Sequence, residues 1–269
     1  MRKAVMELFL EVEMKNKKAA KAILIIIAIL ALAVIAYCGW YIYQYWNGHK
    51  LVDELSGSWK ASEVEADTEV DSVRIPVDFE ELWAVNPEIY AWIYIPGTEI
   101  SYPVVQHDGD NDYYLHRNEE GNYFTGGCIY SENYNRKDFT DPMTVLYGHN
   151  LRSGKMFAGL NDFADAEVFE EHRYMYVYLP DRELVYEIFA ATPHSNEHLL
   201  VNHDFNNRED FESFFDELLD EKSLSANFLE GVCPMFSKDR VLTLSTCFRA
   251  NNQQRYLVQG ILVKEIPGK

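Results

Sequence analysis

Basic residues are scarce in this 269-residue chain: 24 Lys and Arg stand against 43 Asp and Glu, for a net charge of −19. Binding nucleic acid through its phosphates needs clustered cations, so no DNA or RNA partner is expected. Cysteine is scarce as well. Four residues are too few for a disulfide scaffold, and none is spaced as CxxC or as a metal finger. GxSxG, HExxH, the P-loop and the Rossmann glycine pattern are absent, which leaves serine hydrolase, metalloprotease and nucleotide-binding functions without support. Internal repeats and low-complexity segments are missing too. What the chain has in quantity is apolar and aromatic residues, 48% and 14%, enough to bury a core despite the charge.

The charge is unevenly spread. Residues 1–21 hold six basic and three acidic groups, a net +3; the other 18 basic and 40 acidic groups give −22. Between them, residues 22–46 carry no charge at all. That length of helix crosses a hydrocarbon core of about 30 Å. Tyr37, Trp40, Tyr41, Tyr43, Tyr45 and Trp46 crowd its far end, where amphipathic rings favour the membrane–water interface. Basic residues before the span and none just after it place the N-terminus in the cytoplasm and the remainder outside. The competing reading is a cleaved signal peptide, on Ala31-Leu32-Ala33. That tripeptide lies inside the apolar run with no polar stretch before it, so an uncleaved anchor is preferred.

Four segments follow from this: a cytoplasmic basic segment at 1–21, a transmembrane anchor at 22–46, an acidic stalk at 47–72 and one domain at 73–269. The stalk places Glu63, Glu65, Asp67, Glu69 and Asp71 on alternate positions, read as a tether or a solvated helix leading to the domain and not as a catalytic acid cluster. In the domain, apolar runs at 89–95 and 100–105 flank the turn Pro96-Gly97, and 143–147 is a further short run. Runs at 174–179 and 184–190 flank Pro180-Asp181-Arg182-Glu183 as a hairpin, and 241–244 and 256–263 complete the set. Many short strands at this spacing predict a mainly β fold, a barrel or sandwich. A short helix is expected over 155–162. A second is expected over 208–222, where Phe211, Phe214, Phe215, Leu218 and Leu219 form one apolar face.

Among the cysteines, Cys38 falls in the span, Cys128 opens a buried run and Cys233 follows a glycine in a loop. Cys247 differs. The run Val241-Leu242-Thr243-Leu244-Ser245-Thr246 delivers it to a strand end, with Arg249 and Arg255 close behind. A thiolate is the reactive form of cysteine, and nearby cations favour it. Cysteine nucleophiles also need an imidazole. His149 ends the run Thr144-Val145-Leu146-Tyr147 and is likewise carried by a strand to a loop. His194 and His198 have i, i+4 spacing, but Pro193, Ser195 and Asn196 indicate a loop and no third ligand is evident, so no zinc site or other metal is expected. His49, His107, His116, His172 and His203 lie in polar segments and read as solvated.

The residues at this point resemble a known family. Thr243-Leu244-Ser245-Thr246-Cys247 is similar to the TLxTC motif of sortases, Arg255 matches their arginine, and Tyr147-Gly148-His149-Asn150 resembles their histidine segment. Asn86-Pro87…Trp92-Ile93, Tyr102-Pro103-Val104-Val105-Gln106 and Asp110-Asn111…Tyr114-Leu115 follow in sortase order, covering roughly residues 82–263. The helical insert at 208–222 and the N-terminal anchor resemble class B sortases.

The resemblance implies a closed β-barrel of about eight strands, with helices before it and one inserted ahead of the cysteine strand. It implies a membrane-anchored cysteine transpeptidase without cofactor. Such an enzyme cleaves a C-terminal sorting signal of a secreted protein through a thioacyl-enzyme and passes the product to an amine. That acceptor is a peptidoglycan precursor, or a pilin lysine in pilus-building relatives; an endopeptidase releasing product to water is the alternative. Cys247 would be the nucleophile, His149 an imidazolium acid and later a base, and Arg255 the oxyanion or backbone holder. Asn111, Leu115, Tyr147, Ser245 and Thr246 would line the substrate groove. Between cysteine and arginine, where some members have an acid, this chain has Arg249, Asn251, Asn252, Gln253 and Gln254, and the calcium ligands of some class A members have no match.

Overall fold

The computed structural model describes residues 2–57 and 75–269, which divide into two units, Met1–His49 and Lys50–Lys269. Helix α1 runs Arg2–Gly57. Its stretch Lys17–Tyr43 has a mean hydropathy of 2.9, buries none of its residues against protein and is long and apolar enough to cross a membrane. The acidic alternation at 63–71, expected as a stalk, lies outside the described residues.

Within the second unit, α2 spans Phe79–Val85, and its first amides are capped by the Asp78 carboxylate at 3.0 and 3.1 Å. The strands follow as β1 (Ile89–Tyr94), β2 (Ser101–Val105), β3 (Ile129–Tyr130), β4 (Met143–Tyr147), β5 (Tyr174–Tyr178), β6 (Arg182–His194), β7 (Asn227–Phe228), β8 (Val241–Cys247) and β9 (Arg255–Pro267). Short helices α3 (Ala166–Glu171) and α4 (Leu199–Asn202), the longer α5 (Arg208–Leu219) and 3-10 turns at Tyr113–His116 and Phe157–Ala164 fill the connections.

Strand order is β5-β1-β2-β3-β4-β8-β9-β6, and β6 pairs back onto β5, closing an eight-stranded barrel with β7 attached outside on β6. Pairs β2–β3 and β4–β8 are parallel and the rest antiparallel. The interior is filled by Ile93, Val104, Leu146, Leu184, Leu244 and Val258. Period-two alternation then puts Val241, Thr243, Ser245 and Cys247 on the outer wall. There, α5 lays Phe211, Phe214, Phe215 and Leu218 over Val145, Phe189, Val241 and Leu257. Each such ring contributes roughly 1.5–3 kcal/mol by leaving water. Helix α2 covers a second outer patch, with Phe79 and Leu82 on Trp92, Tyr178 and Ile266.

Two expectations are adjusted. The helix at 155–162 is a 3-10 turn beginning at Phe157, followed by α3 capped by Asp165. His194 is the last residue of β6 rather than part of a loop, because Pro193 and His194 still pair with Tyr256 and Arg255 of β9.

Candidate active site

Three neighbouring strands bring the chemistry together. Strand β8 lies between β4 and β9. Its last residue, Cys247, pairs in register with Arg255, the first of β9. The Arg255 guanidinium Nη1 donates to Cys247 Sγ at 3.0 Å. On the other side Tyr147 pairs with Ser245, so two residues further on His149 comes level with Cys247. Two hydrogen bonds extend this pairing beyond the strands. Gly148 N–H donates to the Ser245 carbonyl at 3.1 Å, and Thr246 Oγ1 donates to the Gly148 carbonyl at 2.7 Å. A side chain at 148 would stand 2.5 Å from Ile129 Cδ1 and 2.7 Å from Phe157, so only glycine lets the histidine segment pass this closely.

His149 is half-buried. Its Nε2–H donates to the Leu115 carbonyl at 2.8 Å, and its ring stacks on His116 with centroids 5.5 Å apart and planes 18° from parallel. Burial holds its basicity below the ordinary imidazole value. The Leu115 carbonyl works the other way, and the charges of His116 and Arg255 reinforce the lowering.

The turn after Cys247 is tied down atom by atom. Asn150 Nδ2 and Asn161 Nδ2 both donate to the Cys247 carbonyl, at 2.9 and 3.3 Å. Asn161 Oδ1 accepts the Arg249 amide at 2.6 Å, and Phe248 N–H donates to the Gln254 carbonyl at 3.0 Å. Arg249 turns away, pairing with Asp162 at 3.0 Å and the Ala158 carbonyl at 3.0 Å. The two amides after the cysteine are thus committed, and Arg255 is the donor held at the sulfur.

The expected groove residues divide. Tyr147 and Ser245 sit side by side on the outer wall, with Tyr147 stacked on Tyr130 at 5.5 Å. Burial and the neighbouring Glu132 carboxylate push the Tyr147 phenol up. Leu115 is half-exposed, and Asn111 holds the following loop by accepting from the Asn133 amide at 2.8 Å. Thr246, expected in the groove, faces the inner side, almost fully buried with its hydroxyl already committed. His194 and His198 go to separate carboxylates, Glu197 at 3.0 Å and Glu132 at 2.8 Å. Sequence reasoning missed Asn161 and His116. Asn161 gave no signal beyond its place in a short helix, whereas His116, adjacent to Leu115, carried a hint that its polar surroundings masked.

A thiol, an imidazole and a guanidinium on three adjacent strand ends of a closed barrel are equipped for cysteine-dependent acyl transfer. Residues 93–263 match the sortase domain family model, and the chain belongs to the sortase family, whose members are cysteine transpeptidases. Its relatives are of class B. The chain is 28% identical over 243 residues to sortase B of Listeria monocytogenes, covering 88% of this chain and 95% of that one. Sortase B of Staphylococcus aureus is 28% identical over 188 residues, covering 69% and 75%. Among solved structures, sortase B of B. anthracis superposes with a TM-score of 0.66 at 29% identity over 83% of this chain and 99% of that one. Clostridium perfringens sortase B gives 0.61 at 32% identity over 70% and 100%.

Proposed function

We propose that this protein is a membrane-anchored class B sortase in which Cys247, His149 and Arg255 cut a C-terminal sorting signal and join the new carboxyl end to a cell-wall amine. The observation that carries the reading is the 3.0 Å hydrogen bond from Arg255 to Cys247, formed where His149 arrives in register on the adjoining strand. His149 takes the thiol proton, and the sulfur attacks the scissile carbonyl. Arg255 stabilises the oxyanion as the tetrahedral centre forms. The C–N bond then breaks, His149 returns the proton to the departing amine, and a thioester remains on Cys247. An acceptor amine attacks that thioester, His149 removes its proton, and the amide product leaves with the thiol restored. Asn111, Leu115, Tyr147 and Ser245 border the groove for the signal, and Thr246 supports the histidine segment from behind.

The apolar stretch of α1 serves as a single-pass anchor, with the +3 segment in the cytoplasm and the barrel outside. The test is Cys247→Ala in the full chain, assayed by mass spectrometry on a sorting-peptide library with and without a small amine. Loss of both cleavage and amine adduct is expected; retained cleavage removes Cys247 from the mechanism. Hydrolysis by the wild type that never diverts to the amine replaces the transpeptidase with a peptidase.

A further inference from the structure

His116 reads from its polar neighbours as an ordinary solvated side chain, yet it lies against His149. Its ring is exposed and stacks on the His149 ring at 5.5 Å and 18°. The contact is built in at both ends. The 3-10 turn Tyr113–His116 is pinned by Cys128 N–H to the Tyr114 carbonyl at 3.1 Å and by Phe124 N–H to the His116 carbonyl at 3.0 Å. The preceding residue, Leu115, holds His149 Nε2 through its carbonyl at 2.8 Å. Two consecutive residues therefore grip the same imidazole, one at its edge and one across its face.

We propose that His116 is a tuning residue of this site, stacked on His149 so that its charge governs how readily the neighbouring ring takes up a proton. The inference rests on the acid–base role proposed for His149. The groups that act on that ring are few. They are the Leu115 carbonyl and His116 from the 3-10 turn and Arg255 from β9, with Cys247 of β8 level with it and bonded to Arg255; among the described residues no carboxylate acts on it. Arg117, next in the chain, is turned onto the Tyr113 ring at 4.3 Å and donates to the Tyr113 carbonyl at 2.9 Å. His116 is thus the imidazole stacked on His149 from the 3-10 turn, whereas Arg255 is bonded to Cys247.

The consequence is an electrostatic coupling between two stacked rings. When exposed His116 takes a proton from solvent, the second proton on His149 is opposed, and His149 stays a proton acceptor to lower pH. When His116 is neutral the opposition is gone.

The experiment is a titration of the full chain in detergent, labelled on its histidine rings and followed by NMR, alongside the pH profile of kcat/KM. The wild type is compared with His116→Phe, which keeps the stack and removes the charge, and His116→Lys, which keeps a charge throughout. The His149 midpoint is expected to rise by about half a unit or more in His116→Phe, the size of two unit charges interacting at about 5.5 Å near water. In His116→Lys it stays or falls. A midpoint unchanged across all three proteins overturns the proposal. If His116→Phe loses the stack by misfolding, His116→Gln gives the same comparison, and an unmoved midpoint there is equally fatal. If the midpoint moves while the rate profile does not, the tuning stands and the acid–base role of His149 falls.

Discussion

At the scale of single residues, the groups proposed to react were readable and their supports were not. Cys247, His149 and Arg255 announce themselves because each ends or begins an apolar run, and a strand terminus is where a polar side chain reaches a site. Asn161 has no such mark. Its meaning comes from two contacts 86 and 88 residues away, the Cys247 carbonyl and the Arg249 amide. Replacing Asn161 with Ala takes the partner from the Arg249 amide and one of two donors from the Cys247 carbonyl, and should cost about 1 kcal/mol, read as a lowered midpoint in thermal unfolding. Turnover should fall further than that loss of stability explains, because the turn carrying Cys247 loosens. Thr246→Val keeps the shape and removes the 2.7 Å bond to the Gly148 carbonyl. Steady-state kinetics should show kcat reduced severalfold with KM little changed; a rise confined to KM would instead make Thr246 a substrate contact.

Elements show the same division between local and distant causes. The period of the phenylalanines revealed α5, and the short apolar runs revealed all seven of the longer strands. The buried run opened by Cys128 marked the place of β3, which is only two residues long and is held by β2 and β4, whereas β7, also two residues long and paired only with β6, carried no such mark. The 3-10 turn at Tyr113–His116 depends on a glycine that lies outside it. Gly127 has φ +57°, and a Cβ there would stand 2.5 Å from the Leu115 carbonyl oxygen and 2.7 Å from that of Tyr114. Gly127→Ala should push this turn away from His149, lowering kcat at least tenfold with the barrel still folded by circular dichroism. Helix α5 is an insertion by sequence but core by packing. Fully buried Phe215→Ala should therefore cost about 3–5 kcal/mol, checked by denaturant unfolding.

For the whole molecule, the acidity that opened the sequence reading acquires an internal component. Glu183, at the start of β6, is fully buried, and neither carboxylate oxygen has a hydrogen-bond partner among the described residues. Burial raises its pKa from 4.5 to about 7, with Lys264 acting in the opposite direction. Below pH 4.5 the folded and unfolded chains both hold the proton; between there and about 7 only the folded chain keeps it, so stability falls as pH rises through that window. Glu183→Gln should match the wild type in thermal unfolding near pH 4 and exceed it by on the order of 2 kcal/mol near pH 8. His149 runs oppositely, its lowered basicity favouring the folded state at higher pH.

Cys247 sits on the outer wall of the barrel, at a strand end. A nucleophile inside a closed tube would accept only chains with a free end to thread. One on the outside can meet a polypeptide side-on, midway along its length, while both of its ends remain attached elsewhere. That geometry removes any need for client or acceptor to be released before they meet.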